Sequence, residues 1–273
     1  MTMIPLPHQG LSLVFEDHFE TSTLNPAVWL PHYLPAWSSR SATAATYQLR
    51  DSCLHLSIPP HQARWLPNDH AALRVSGVQT GNFSGPVGSV VGQQPYKPGA
   101  VVREQQRTFW GWTPNQGYLE MRARCVVSPR SMVAWWLVGL EDAPERCAEI
   151  CVAEIFGDAV DPGVSVDPGV SADPGVSAAV GMGLHPFRDP AVVEDFEAVR
   201  LPIDVADFHL FAVDWTAARA DFFVDGDLVR SAAHPPNYPM QSMLAVFDFP
   251  DRSTGHDSEA VPELVIDYVR GYR

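Results

Sequence analysis

Apolar and polar residues alternate in short runs along most of this chain, and glycines and prolines punctuate them. Residues 11–19 alternate well enough for a first strand, residues 53–58 give another, and residues 100–107 read as a third. The alternation is strict over 117–125, and further strands are expected at 131–139, 180–187, 240–249 and 262–270. Residues 207–216 and 219–229 form two more alternating runs joined by a short turn, with Val224-Asp225-Gly226 as a tight hairpin. A side-chain period of two belongs to the β-strand. Many short strands divided by turns predict an all-β sandwich or barrel. Residues 60–98, rich in Gly, Pro, Asn and Ser, predict a long loop with short strand pieces, a candidate rim for a cleft.

Function is most legible in residues 147–157, Cys-Ala-Glu-Ile-Cys-Val-Ala-Glu-Ile-Phe-Gly. The run is apolar and β-branched around two glutamates, with no helix cap before it, and so predicts a buried strand. A regular strand would send Glu149 and Glu154 to opposite faces, because their separation is odd. One extra residue, a β-bulge near Val152-Ala153, would turn Cys147, Glu149, Cys151 and Glu154 the same way. Two carboxylates facing one cleft, about 5–5.5 Å apart, is what a retaining glycosidase needs. The plainer alternative is a pair of surface glutamates on a half-exposed sheet, or one glutamate closing a salt bridge.

The same run resembles the active-site strand of glycoside hydrolase family 16, Glu-hydrophobic-Asp-hydrophobic-x-Glu with a glycine three residues on. Glu149, Ile150, Val152, Glu154 and Gly157 fit, and Cys151 stands where the family has aspartate. Residues 117–124 resemble the family's Gly-aromatic-x-Glu-x-Arg-x-Lys, with Arg124 for the lysine. Ala134, Trp136, Leu137 and Gly139 match its Trp-Pro-Ala-Phe-Trp-Leu-Leu-Gly strand, while Met132 and Val133 replace the first Trp and the Pro. The opening with Asp17, Phe19 and Trp29, the Trp215-Thr216 and Val224-Asp225-Gly226 hairpin, and the ending at Tyr272 complete a likeness that misses only one insertion.

That resemblance implies a concanavalin A-like β-jelly-roll sandwich with a cleft on its concave sheet, forming one catalytic domain over residues 1–273. It implies endo-acting, retaining hydrolysis of a β-linked polysaccharide, most often a β-1,3- or β-1,3/1,4-glucan. Glu149 would be the nucleophile and Glu154 the acid/base, with Cys151 between them in the catalytic set. His185 sits where the family has a cleft-lining histidine. Asp267 matches an aspartate that holds a structural calcium in some members; no cofactor is required for the reaction. The departures at Cys151 and Met132 also admit a non-catalytic carbohydrate-binding protein with a degenerate site. A transglycosylase would share the covalent intermediate.

Indole offers a flat apolar partner to the C–H face of a sugar ring. Of the eight tryptophans, Trp136 is the first candidate because its strand precedes the glutamate strand, and Trp110 and Trp112, on a turn, come next. The formal net charge of −14 disfavours nucleic acid or an anionic membrane as partner, whereas a neutral polysaccharide tolerates it. No stretch has the length of a membrane span, and the first eight residues lack the basic and apolar segments of a secretory signal. The chain as given therefore reads as soluble, although family members are usually secreted, and a monomer is expected. Four cysteines do not suggest a disulfide framework. Three Asp-Pro-Gly-Val-Ser copies at about 160–178 predict a low-complexity loop inserted after the glutamate strand.

Overall fold

The computed structural model describes residues 10–162, 175–255, 257 and 259–273. The chain start at 1–9 and most of the Asp-Pro-Gly repeat lie outside them. In chain order the strands are β1 (Leu13–Asp17), β2 (Tyr47–Arg50), β3 (Cys53–Ser57), β4 (Arg74–Gln79), β5 (Gly81–Asn82) and β6 (Phe109–Trp110). They continue with β7 (Gly117–Val126), β8 (Ser131–Gly139), β9 (Glu149–Phe156), β10 (Val160–Pro162), β11 (Val176–His185) and β12 (Asp195–Leu201). The last are β13 (His209–Trp215), β14 (Arg219–Val224), β15 (Asp227–Ala233), β16 (Met240–Asp248) and β17 (Glu263–Tyr272).

Two antiparallel sheets form the body. One runs β15-β14-β13-β7-β17-β3-β2, with β1 also on β17; the other runs β10-β11-β9-β8-β16-β4, with β12 also on β11. Alternate residues of both sheets meet between them in a core that includes Trp135, Ile150, Trp215, Phe222 and Ile266, none of them more than 0% exposed. This is a jelly-roll sandwich, as the strand pattern and the resemblance implied. The sequence motifs acquire physical roles in it. Asp17 Oδ2 accepts the Trp29 indole N–H at 2.8 Å, which ties the first strand to the core. Asp225 and Gly226 both have positive φ, 52° and 88°, as a two-residue turn between twisted strands requires.

Three elements differ from the sequence reading. Residues 100–107 are not a strand: the Val102 N–H goes to Ser89 O and the Arg103 N–H to Ala36 O, both at 2.8 Å. Their alternation reflects Ala100 and Val102 burying themselves under a loop, without a partner strand. β2 and β12 are present where no strand was expected. Both are edge strands whose polar residues blunt an exposed ladder, and these dilute the apolar signal. Replacing Trp135 by Ala, at the centre of the core, should cost about 3–5 kcal/mol in chemical denaturation; a loss under about 1 kcal/mol would refute its central place.

Candidate active site

β9 does two jobs, and a bulge separates them. On β8, Trp135 pairs with Ala153 and Trp136 with Cys151, so Val152 has no counterpart. On the other side Gly181 pairs with Glu154 and Gly183 with Cys151, which skips a β9 residue at the same place. Ile150, Val152, Ala153 and Ile155 therefore all reach the inter-sheet core. Glu149, Cys151 and Glu154 share the opposite face. Cys147, just before the strand, has the same parity but is covered by the turn at 186–188, where its Sγ accepts the Arg188 N–H at 3.2 Å. All four cysteines are buried and free.

Glu149 is 7% exposed and Glu154 partly buried. Burial raises the Glu149 carboxyl well above the ordinary glutamate range, and the negative charges of Glu154 and Glu194 add to this. Burial raises Glu154 too, opposed by the Trp136 indole. The Trp136 Nε1–H is buried without a full hydrogen bond, yet lies close enough to Glu154 and Cys151 to favour their ionised forms. Cys151 is pushed well up, mainly by burial and then by the two glutamates, so it stays a neutral thiol; it donates to Gly181 O at 3.5 Å. Among the described residues, neither glutamate is in a salt bridge with an Arg or Lys.

Of the other expected site residues, Trp136 and His185 join the glutamates. Trp136 is the cross-strand partner of Cys151, and His185 that of Glu149, with His185 Nδ1 2.7 Å from Glu194 Oε1. Trp112 does not come to this face. It stacks on Phe15 at 4.1 Å and packs against Gly271, on the other sheet. Its indole completes the core edge beside β1 and β17, which explains its presence without a ligand. Trp110 is exposed and opens onto a separate cavity with Leu30, Arg40, Asn82 and Arg107.

The sequence reading missed an aromatic group beside the glutamates. Tyr33 packs on Phe247, which packs on Trp136, both pairs at 5.3 Å. Glu149 is near enough to add to the rise that burial causes in the Tyr33 hydroxyl. Phe156 and Phe249 stack nearby, with the Arg252 guanidinium over both rings. Phe247 and Phe249 continue the parity of Met243 and Ala245 on β16, a signal that was present; Tyr33, from a loop, had none.

Asp267 lies at a register shift of β17 and takes the Arg122 guanidinium at 2.5 Å. Among the described residues no three His, Cys, Asp or Glu side chains cluster as metal ligands. Nor is any described helix long and apolar enough to cross a membrane.

No protein-family model matches this sequence, and no curated protein matches it significantly. The likenesses are structural. The chain is similar to a GlcNAcα1-4Gal releasing endo-β-galactosidase from Clostridium perfringens, with TM-score 0.77 and 21% identity over 99% of this chain; it spans 64% of that protein's length. It is similar to a laminarinase from Flavobacterium sp. UMI-01, with TM-score 0.61 and 18% identity over 96% of this chain and 100% of that one. A non-specific endo-β-1,3(4)-glucanase from family GH16 gives TM-score 0.65 and 15% identity, over 99% and 93% of the two chains. At these identities the likeness establishes the fold.

Chelation tests the calcium expectation directly. Excess EDTA should leave the thermal midpoint unchanged, and a fall of several degrees that calcium reverses would restore a metal role.

Proposed function

We propose that this protein is a retaining glycoside hydrolase of β-linked glycans, with Glu149 as nucleophile and Glu154 as acid/base. The observation that carries the reading is the bulge at Val152-Ala153, which turns both carboxyls to one face beside an aromatic wall. Glu154 would protonate the leaving oxygen while Glu149 attacks the anomeric carbon; the glycosyl-enzyme would then be hydrolysed by water that Glu154 activates. The laminarinase and glucanase likenesses support a β-1,3- or β-1,3/1,4-glucan. The higher TM-score with the endo-β-galactosidase supports a β-galactoside as well.

Two like charges in a buried site hold one proton between them, and the pair titrates as a unit. In the free protein the deeper burial of Glu149 and the indole beside Glu154 favour the proton on Glu149. Binding of a sugar, with its leaving oxygen at Glu154, has to draw that proton across. Cys151 contributes a neutral neighbour where an aspartate would add a third negative charge.

Replacing either Glu149 or Glu154 by Gln should abolish release of reducing ends from laminarin, lichenan or a β-galactoside; full activity in either variant would end the assignment. The Glu149 variant also has a signature in stability. Because folding raises the Glu149 pKa, the native ionised form is disfavoured increasingly as pH rises above the unfolded value of about 4.3. Glu149→Gln should therefore melt higher than wild type at neutral pH, and the difference should close below about pH 4; a lower midpoint at neutral pH would contradict the buried, cation-free setting.

The pH–rate profile gives a second test. Activity should persist above the ordinary glutamate range and fall as the pair loses its last proton. Cys151→Asp adds a negative charge, raises both carboxyls further and should move the alkaline limb to higher pH. Superimposable profiles would remove position 151 from the mechanism.

A further inference from the structure

We infer that the site is closed on one side, so that the protein takes a glycan by its end and releases a short saccharide of one size. This rests on the hydrolase reading above. A polysaccharide cut internally must cross the sheet, with chain extending on both sides of β9. On the β8 side the described residues leave little free surface for it beyond Trp136. The positions of β8, β16 and β4 on the glutamate face, Met132, Ala134, Val138, Met243, Ala245 and Val75, are each at most 4% exposed. They form a second hydrophobic core with Trp37, Trp65, Val102 and their neighbours, contributed by the segments at 34–37, 65–73 and 100–102.

This cover is fastened by directed bonds. The Trp37 indole donates to Gln93 O at 2.6 Å, the Trp65 indole to Tyr33 O at 3.2 Å, and Ser38 Oγ to Trp65 O at 2.6 Å. Its edge toward the glutamates is the Tyr33-Phe247-Trp136 wall. Trp136 is on the strand next to β9, so the wall stands about 5 Å away, one strand spacing. Room for the glycan on that side is short and has a definite end.

The β11 side is built differently. A Cβ on Gly181 would meet the Phe196 ring at 2.6 Å, and one on Gly183 would meet Asp195 O at 2.0 Å. These glycines let the partly exposed Phe196 ring lie down on the strand, 4.6 Å from the His185 ring. Phe196 and His185 make a floor on which a pyranose can stack. The remainder of the glycan leaves over this floor.

The test is product length at early times. Wild-type protein is incubated with laminarin, with lichenan, and with an end-labelled oligosaccharide terminating in GlcNAcα1-4Gal, and products are resolved by size. The expected result is one short product from the first turnovers, with the mean length of the remaining polymer nearly unchanged. A ladder of lengths at early times, absent in Glu154→Gln, would overturn the closed end while leaving the hydrolase reading in place. No product from any probe would overturn that reading, and this inference with it. Tyr33→Ala shortens the wall and should yield a longer released saccharide; an unchanged product length in a folded Tyr33→Ala protein would also overturn it.

Discussion

One residue out of register on β9 decides how this chain can place two acids together. Without it, the face that holds Glu149 and Cys151 would hold Ala153, and Glu154 would point between the sheets. An uncompensated charge there costs several kcal/mol. With it, Ile150, Val152, Ala153 and Ile155 all serve the core while both glutamates face out. Both neighbouring strands shift at the same point, so the irregularity is held from either side and not left to a loop. Ile150 and Val152 face the core in either register, but Ala153 and Ile155 bury apolar area only in this one, and their burial fixes the geometry of the acids.

The second constraint is the apolar cover. A sandwich needs one core between its sheets, yet here the outer face of three strands also carries one. The result is a sheet with two dry faces over much of its area and a wet strip along β9 and β11. Charge follows the same division. Arg130 reaches Asp248 through two bonds, 2.7 and 3.0 Å, at the dry end of β16, while among the described residues the glutamates of β9 have no such cation. Burial without a counter-ion raises the carboxyl pKa values, which helps one member of the pair to hold the proton that an acid must donate.

Much of the fold was readable because it rests on local periodicity. The runs that became β7, β13 and β14 alternate in sequence as they alternate in space, whereas β8 and β16, buried on both faces, read as nearly continuous apolar strands. Even the bulge could be anticipated, since two acids in an apolar strand at odd spacing need either an irregularity or a buried charge. The edge strands escaped because polar residues on them are favourable. Residues 100–107 misled because burial under a loop imitates the strand pattern.

The chain's own order of residues determined the strands, their parity and the pair of glutamates, since each depends on neighbours a few positions apart. What distant segments do to one another was settled only by the tertiary structure. Trp112 against Phe15, Tyr33 against Phe247, and the cover of Trp37 and Trp65 over β8 and β16 are contacts across many residues. An aromatic side chain lowers its free energy equally well beside a sugar or inside a core. Only the packing of remote loops chose which tryptophans remained beside the acids.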